Sequence, residues 1–165
     1  MSRRRFTNPG NGFDWAFLFY WLIGTTFGWM LADLFPGLAT LAVGFTVGVF
    51  QALILYQRID KAWRWALAST IGWIAGGLLS FLIVPAGLKI LEGILIGLAV
   101  GLAQWTVVRS SHTWAAWWPV ISMVGWTTGI SLLPGQLMTG TMAGLITGVA
   151  LEFILRFPKK KPSYD

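Results

Sequence analysis

Residues 65–73 read Trp-Ala-Leu-Ala-Ser-Thr-Ile-Gly-Trp, a tryptophan followed after six residues by Gly-Trp. The same frame stands at residues 21–29 and at residues 118–126. Tryptophan is a rare residue, so three copies of this spacing are hard to obtain by chance. The frame therefore predicts an internal repeat with one unit around each copy.

Each copy of the frame is followed by a segment with a small residue at every fourth position. The three series are Thr40, Gly44 and Gly48; Gly93, Gly97 and Gly101; and Gly140, Gly144 and Gly148. Two series continue three residues later into a glutamine, Gln51 or Gln104, whereas the third has Leu151 followed by Glu152. Three landmarks in the same order predict three units, each built from an odd-numbered and an even-numbered helix.

Prolines mark the turn inside each unit. Pro36, Pro85 and Pro134 are each 49 residues apart, and a glycine follows each of them within two residues. Proline and glycine suit a tight turn between two helices. The predicted unit is therefore a helical hairpin.

Composition places these hairpins in a membrane. Of 165 residues, 56% are hydrophobic and 11% are charged, and the mean hydropathy is +0.68. Soluble domains carry roughly 25% charged residues. The chain has no cysteine, which excludes a disulfide scaffold, and its apolar content excludes disorder. The chain is predicted to be an integral membrane protein.

Six apolar stretches have about the 20 residues needed to cross a hydrocarbon core. They are Asp14–Phe35, Gly37–Tyr56, Ala62–Val84, Leu88–Val108, Trp114–Leu133 and Gln136–Leu155. The prediction is a single all-α membrane domain over residues 1–165, with six transmembrane helices as three tandem hairpins and a pseudo-three-fold repeat. The units cover about residues 14–57, 62–109 and 114–156, with short basic tails at 1–13 and 157–165.

The basic residues predict the orientation of the spans. With both termini inside, eleven of the twelve Lys and Arg residues lie on the cytoplasmic side, and only Lys89 lies outside. The eleven are Arg3, Arg4, Arg5, Arg58, Lys61, Arg64, Arg109, Arg156, Lys159, Lys160 and Lys161. The net charge of +6 is thus explained by topology, with anionic lipid headgroups as a secondary contact and no nucleic acid as partner.

The glycine series are candidate packing faces, because small residues let helix backbones approach closely in lipid. The faces are predicted at Gly44, Gly48, Gly93, Gly97, Gly101, Gly140, Gly144 and Gly148. Two other roles stay open for these faces: lining a pore or a flat ligand, and docking to another membrane protein.

The tryptophans divide into two predicted groups. Six near the cytoplasmic helix ends are expected to anchor the chain at the membrane interface: Trp15, Trp63, Trp65, Trp114, Trp117 and Trp118. Trp29, Trp73 and Trp126 lie deeper, where an indole N–H needs an acceptor. We hypothesise that Gln51 and Gln104 supply it and so join adjacent hairpins.

Glu152 is the one acid well inside a predicted span, which makes it a functional candidate. Arg156 follows one turn later and is expected to pair with it. A proton or ion role for Glu152 is the alternative. His112, the single histidine, is expected to lie solvated in a short loop without a metal.

Catalytic signatures are absent from the sequence. It has no phosphate loop, no Rossmann fingerprint in the right context, no His-Glu-x-x-His motif and no cysteine pair. The prediction is a protein that is not an enzyme, with no cofactor, although a lipid or a pigment stays open as a ligand.

One pattern is familiar. Gly97-x3-Gly101-x2-Gln104-Trp105, followed by Arg109 and by the frame at 118–126, resembles a tandem pattern in small multi-pass membrane proteins of photosynthetic and related bacteria. The resemblance implies a bacterial inner membrane or a thylakoid membrane, and it implies no mechanism. The third unit departs from the pattern, because it has Glu152 near the position of the glutamine.

The sequence thus favours a structural, accessory or assembly subunit of a membrane protein complex, with the bilayer and a membrane-protein partner or a second copy as its contacts. Two alternatives stay open. One is a small channel or transporter with Gln51, Gln104 and Glu152 on a polar path. The other is a binder of a lipophilic ligand such as a pigment, a quinone or a lipid.

Overall fold

The computed structural model describes residues 12–35, 37–132 and 135–159. Two of the three turn prolines, Pro36 and Pro134, lie outside the described residues. The basic residues of the two tails at positions 3–5 and 160–161 lie outside them as well.

Every regular element in the described residues is helical, which confirms the all-α prediction. The α-helices are α1 (Trp15–Leu31), α2 (Ala39–Leu55), α3 (Trp63–Ile83), α4 (Lys89–Val108), α5 (Trp118–Ser131) and α6 (Gln136–Leu155). A 3-10 turn at Ala32–Leu34 extends α1, and another at Ala115–Trp117 precedes α5.

Three glycines shape the turns that precede the even-numbered helices. Gly37, Gly87 and Gly135 have φ angles of 91°, 92° and 94°. An L-residue with a side chain rarely adopts this region, whereas glycine does so without a steric penalty. The chain can therefore reverse direction within a few residues at each of these points.

Four helical segments are long and apolar enough to cross a membrane, which fits a membrane-embedded protein. They are Trp15–Leu34, Trp63–Ile83, Lys89–Val108 and Gln136–Leu155, while Thr40–Leu55 is apolar but shorter. Two of the six predicted spans are thus shorter as helices than the sequence suggests.

The fifth predicted span, Trp114–Leu133, has the largest error. Its α-helix begins only at Trp118 and contains 14 residues. Pro119 explains the late start, because proline has no N–H to donate and is tolerated only in the first turn of a helix. The preceding residues take the tighter 3-10 geometry instead.

The six helices form a closed ring in chain order. Each helix packs against the next, and α6 packs against α1. Neighbours run antiparallel: Gly93, Gly97 and Gly101 of α4 meet Thr127, Met123 and Pro119 of α5 in descending order. The ring therefore brings one end of all six helices to the same side. We call this side, made of residues 12–15, 56–64, 109–117 and 156–159, the basic end.

All eight glycines of the predicted packing faces lie where two helices meet. On α2 they face α3 (Gly44, Gly48), on α4 they face α5 (Gly93, Gly97, Gly101), and on α6 they face α1 (Gly140, Gly144, Gly148). A Cβ atom at Gly97 would lie 2.7 Å from the Cα of Met123, and one at Gly140 would lie 2.7 Å from the Cα of Thr26. The helices therefore touch backbone to backbone.

Each odd-numbered helix also carries a glycine at its contact with the even-numbered helix that follows it in the chain. Gly28 of α1 faces Val47 of α2, and Gly72 of α3 faces Val100 of α4. The Cβ of a residue at 72 would lie 2.5 Å from the Cα of Val100. Close approach is thus built into both sides of each odd-numbered helix, which the four-residue series on the even helices did not reveal.

Replacing Gly72 by alanine is expected to destabilise the fold by about 1–3 kcal/mol, because the added methyl group meets backbone that has no room to move. The measurement is reversible unfolding of the purified protein in detergent micelles. Gly77→Ala on the same helix is the matched control, since its methyl group would meet only the end of the Thr40 side chain. Equal stability of the two variants would contradict the close packing of α3 on α4.

Candidate functional site

Three tryptophans form a fully buried layer in the half of the ring nearer the basic end. Trp21, Trp65 and Trp118 are 0%, 0% and 1% exposed. The ring centroid of Trp65 lies 5.9 Å from that of Trp21 and 5.4 Å from that of Trp118. The prediction that Trp65 and Trp118 anchor the chain at the interface is wrong, because each indole N–H has an acceptor inside the bundle.

The acceptors are the two glutamines. Trp65 Nε1 donates to Gln51 Oε1 at 2.9 Å, and Gln51 Nε2 donates to Thr25 Oγ1 at 3.0 Å. Gln51 thus ties α3 to α1 through α2. A buried amide with both ends paired stabilises the packing and adds no free polar surface.

Gln104 repeats this arrangement in the next helices. It accepts from Trp118 Nε1 at 3.0 Å and donates to Ser69 Oγ at 2.8 Å. The two amides also approach each other, with Gln104 Nε2 3.5 Å from Gln51 Oε1. One buried hydrogen-bond network therefore joins five of the six helices, α1 to α5.

The position on α6 that corresponds to Gln51 and Gln104 does not hold a glutamine. Leu151 is buried where the sequence pattern predicts a glutamine, and it has no polar group to offer. Trp21 Nε1 donates instead to Thr147 Oγ1, one turn earlier on α6, at 3.0 Å. Ser122 Oγ is buried and has no partner among the described residues. The third helix pair thus uses a separate hydrogen bond, which ties α1 to α6.

Trp29, Trp73 and Trp126 form a second layer, in the half of the ring away from the basic end. Their centroids lie 5.6, 5.5 and 5.0 Å apart in the three pairs. They do not donate to Gln51 or Gln104, so the hypothesised pairing is wrong. Trp29 Nε1 donates to Gln136, and Trp73 Nε1 has no partner within the part of the chain that the structure describes.

Replacing Gln104 by leucine is expected to cost about 1–3 kcal/mol of stability, because the buried Trp118 N–H then has no acceptor. Gln57→Leu, at an exposed position, is the matched control and should leave stability unchanged. Unfolding in micelles, followed by tryptophan fluorescence, measures both variants. An unaltered Gln104→Leu protein would show that the network contributes nothing.

A cluster of four charged side chains lies at the basic end. Glu152 is 3% exposed, and it accepts from Arg156 Nε at 3.0 Å and from Arg58 Nη1 at 3.1 Å. Its Oε1 also accepts the backbone N–H of Asp14 at 3.1 Å. The predicted pair of Glu152 with Arg156 is present, and Arg58, from the loop between α2 and α3, joins it.

Asp14 completes this cluster. Its carboxylate binds Arg58 and caps α1 by accepting from the Phe17 N–H at 2.9 Å. Burial raises the pKa of Asp14, but the Phe17 N–H and the Arg58 guanidinium outweigh burial and hold this pKa below its ordinary value. Its contribution to stability is therefore present near neutral pH and is lost as the pH falls through the lowered pKa.

The cluster joins the start of α1, the α2–α3 loop and the end of α6. Two carboxylates and two guanidinium groups balance each other, so it carries no net charge. Every carboxylate in it accepts at least two hydrogen bonds. This arrangement is typical of a structural tie between segments that are far apart in sequence.

His112 is not solvated as expected. It is 7% exposed, and Ser111 Oγ lies 3.0 Å from its Nδ1. The segment after α6 covers it: Thr113 N–H donates to the Phe157 carbonyl at 3.0 Å, and Lys159 N–H donates to the Ser111 carbonyl at 2.9 Å. Burial lowers the pKa of His112 below its ordinary value.

Metal-binding groupings do not occur in residues 12–35, 37–132 and 135–159, where no three His, Cys, Asp or Glu side chains gather. Two surface depressions are apolar grooves between helices, one between α5 and α6 at the basic end and one between α1 and α6. Within the part of the chain that the structure describes, the buried side-chain polar atoms without a hydrogen-bond partner are Trp73 Nε1, Ser122 Oγ and Thr127 Oγ1.

Comparisons with known proteins found no matching family model, no similar curated protein and no similar solved structure. The resemblance to small multi-pass bacterial proteins therefore stays a prediction.

Glu152→Gln is expected to destabilise the fold by about 1.5–3 kcal/mol, because two arginines then share the single carboxylate of Asp14. Glu92→Gln is the matched control, since the Lys89–Glu92 pair is exposed and should contribute under about 1 kcal/mol. Unfolding of both variants in micelles at neutral pH is the measurement. The same small loss in both would refute a structural role for the cluster.

Proposed function

We propose that this chain is a non-enzymatic integral membrane protein that acts as a structural, accessory or assembly subunit of a larger membrane complex. Its centre is filled by two layers of three tryptophans, and the two glutamines beside the layer of Trp21, Trp65 and Trp118 are hydrogen-bonded inside the bundle. Such an interior offers rigidity and no reaction centre. This observation is the main support for the proposal.

The proposal includes six spans in three hairpins with pseudo-three-fold symmetry. Three sets of corresponding contacts support it: Gly28 lies against Val47 in the first helix pair, Gly72 against Val100 in the second, and Gly125 against Thr147 in the third. The hydrogen bonds from Trp65 to Gln51 and from Trp118 to Gln104 correspond in the same way. Corresponding contacts at corresponding sequence positions are what an internal repeat produces.

We place both termini inside, in a bacterial inner or thylakoid membrane. The described residues put Arg58, Lys61, Arg64, Arg109, Arg156 and Lys159 at the basic end, and the opposite end holds Lys89. Lysine and arginine are enriched on the cytoplasmic side of membrane proteins. The four exposed tryptophans Trp15, Trp63, Trp114 and Trp117 also lie at the basic end, where an interfacial belt would form.

Cysteine labelling in spheroplasts tests this orientation, because the chain has no cysteine of its own. A membrane-impermeant maleimide is expected to label an Ala86→Cys variant directly and a Ser110→Cys variant only after permeabilisation. Both positions are exposed in loops at opposite ends of the bundle. Equal labelling of the two variants in intact spheroplasts would contradict the proposed topology.

The channel alternative needs a continuous polar path through the centre of the ring, from one end of the bundle to the other. Tryptophan side chains occupy the centre of both halves, and Glu152 is held by two arginines at the basic end. Gln51 and Gln104 are paired with indole, hydroxyl and amide groups, so neither is free to solvate a passing ion. These contacts favour a scaffold over a channel.

The outer surface of the bundle supports a role among other hydrophobic partners. Large apolar side chains are exposed along the helices, up to 85% for Phe81 and 73% for Leu82 on α3. In a membrane these faces meet lipid tails or the helices of another protein. Because the interior of the bundle is filled, its outer faces are the surfaces through which this small protein would contact a partner.

The test is extraction from the native host in a mild detergent, followed by size analysis and quantitative mass spectrometry. We expect a complex of defined mass in which this chain has a fixed stoichiometry to the same partner in every preparation. Isolation of the chain as a lone monomer in several mild detergents would refute the subunit role. A membrane protein of unrelated function from the same extract serves as the control for non-specific association.

A further inference from the structure

The groove between α5 and α6 at the basic end has the form of a lipid-binding site. It has a volume of about 440 Å³, within the range of roughly 300–1,000 Å³ typical of small-molecule sites. Its walls are aromatic and aliphatic, with Trp114 and Trp117 on one side and Phe153 and Phe157 on the other. These four side chains are 51–57% exposed, so the groove is open toward the surroundings of the bundle.

Basic residues lie near the segment that forms one wall of this groove. The chain segment that contributes Phe157 continues to Lys159, whose Nζ donates to the Arg109 carbonyl at 2.8 Å. Because the segment runs extended beside Ser111, Lys159 lies about 7 Å along the chain from the groove wall. Among the described residues, neither Arg109 nor Lys159 has a carboxylate within 4.0 Å.

The groove and the basic residues together offer an apolar surface next to positive charge. An apolar groove accepts an acyl chain, and a basic side chain without a carboxylate partner accepts a phosphate. Lys160 and Lys161 follow in the sequence and add to the positive charge of the tail. The span of about 7 Å from Phe157 to Lys159 matches the short connection between a phosphate and its acyl chain.

We infer that the α5–α6 groove binds one anionic phospholipid of the leaflet at the basic end, with an acyl chain between Trp117 and Phe153 and the phosphate at Arg109 and Lys159. The inference rests on the membrane placement proposed above and is independent of the subunit role. The second groove, between α1 and α6, is lined by residues that lie farther from the basic end, so no preference for anionic lipid is expected there.

Native mass spectrometry of the delipidated full-length protein tests the site with added phosphatidylglycerol or phosphatidylcholine of the same acyl composition. One phosphatidylglycerol is expected to bind on the order of tenfold more tightly than phosphatidylcholine. The double variant Arg109→Gln, Lys159→Gln should bind both lipids equally. Equal affinity of the two lipids for the wild-type protein would overturn the inference.

A variant that fills the groove tests the binding of the acyl chain separately from the effect of the basic residues. Ala150 lines the groove on α6, so Ala150→Phe should abolish the tight adduct of either lipid. Ala75→Phe, at an exposed position on α3, is the matched control and should bind as the wild type does. Retention of the tight phosphatidylglycerol adduct by Ala150→Phe would place the lipid elsewhere and refute the site.

A second measurement serves if Ala150→Phe does not fold. Phosphatidylglycerol with brominated acyl chains quenches tryptophans that it touches. Replacing both Trp114 and Trp117 by phenylalanine should remove the quenching that saturates at one lipid per protein, whereas replacing Trp15 and Trp63, which are exposed outside the groove, should not. Unchanged quenching in the first double variant would overturn the inference. A high-mass complex that forms regardless of these results would leave the subunit role standing on its own.

Discussion

In the half of the bundle nearer the basic end every buried indole N–H has an acceptor, and this requirement organises that half of the interior. Trp65 and Trp118 meet it by donating to Gln51 and Gln104, each on the preceding helix pair. Because each glutamine then donates to a hydroxyl on the odd helix of its own pair, one amide joins three helices. In a hydrocarbon surrounding, where water supplies no substitute, such bonds and close packing take the place of the hydrophobic effect.

Glycine and tryptophan have complementary roles in this arrangement. Glycines remove side-chain volume at the six helix contacts, so that neighbouring backbones touch, and tryptophans fill the centre that remains. The charge cluster of Asp14, Arg58, Glu152 and Arg156 closes the ring at the basic end, where α1 meets α6. The filled centre and the apolar outer faces are the features on which the proposed role as a subunit rests.

Much of the fold could be predicted because it depends on patterns within single helices. Apolar length indicated helices, and glycines at every fourth position indicated faces of close approach, since both follow from helix geometry. The start of α5 was predicted wrongly because the apolar stretch suggested an earlier beginning. Pro119 limits where that helix can begin. The partners of Gln51 and Gln104 were missed for a different reason. Each odd helix carries two tryptophans eight residues apart on one face, and periodicity does not say which of them lies level with the glutamine.

The sequence by itself determined the all-α character of the chain, the glycine faces, the pairing of Glu152 with Arg156 and the strong bias of basic residues toward one set of loops. Each of these depends on local spacing or composition. Only the tertiary structure decided that Trp65 and Trp118 are core residues, that Arg58 joins the charge cluster and that His112 is buried beneath the segment after α6. These outcomes depend on which residues of neighbouring helices and loops lie level with each other. That is set by contacts between residues distant in the chain.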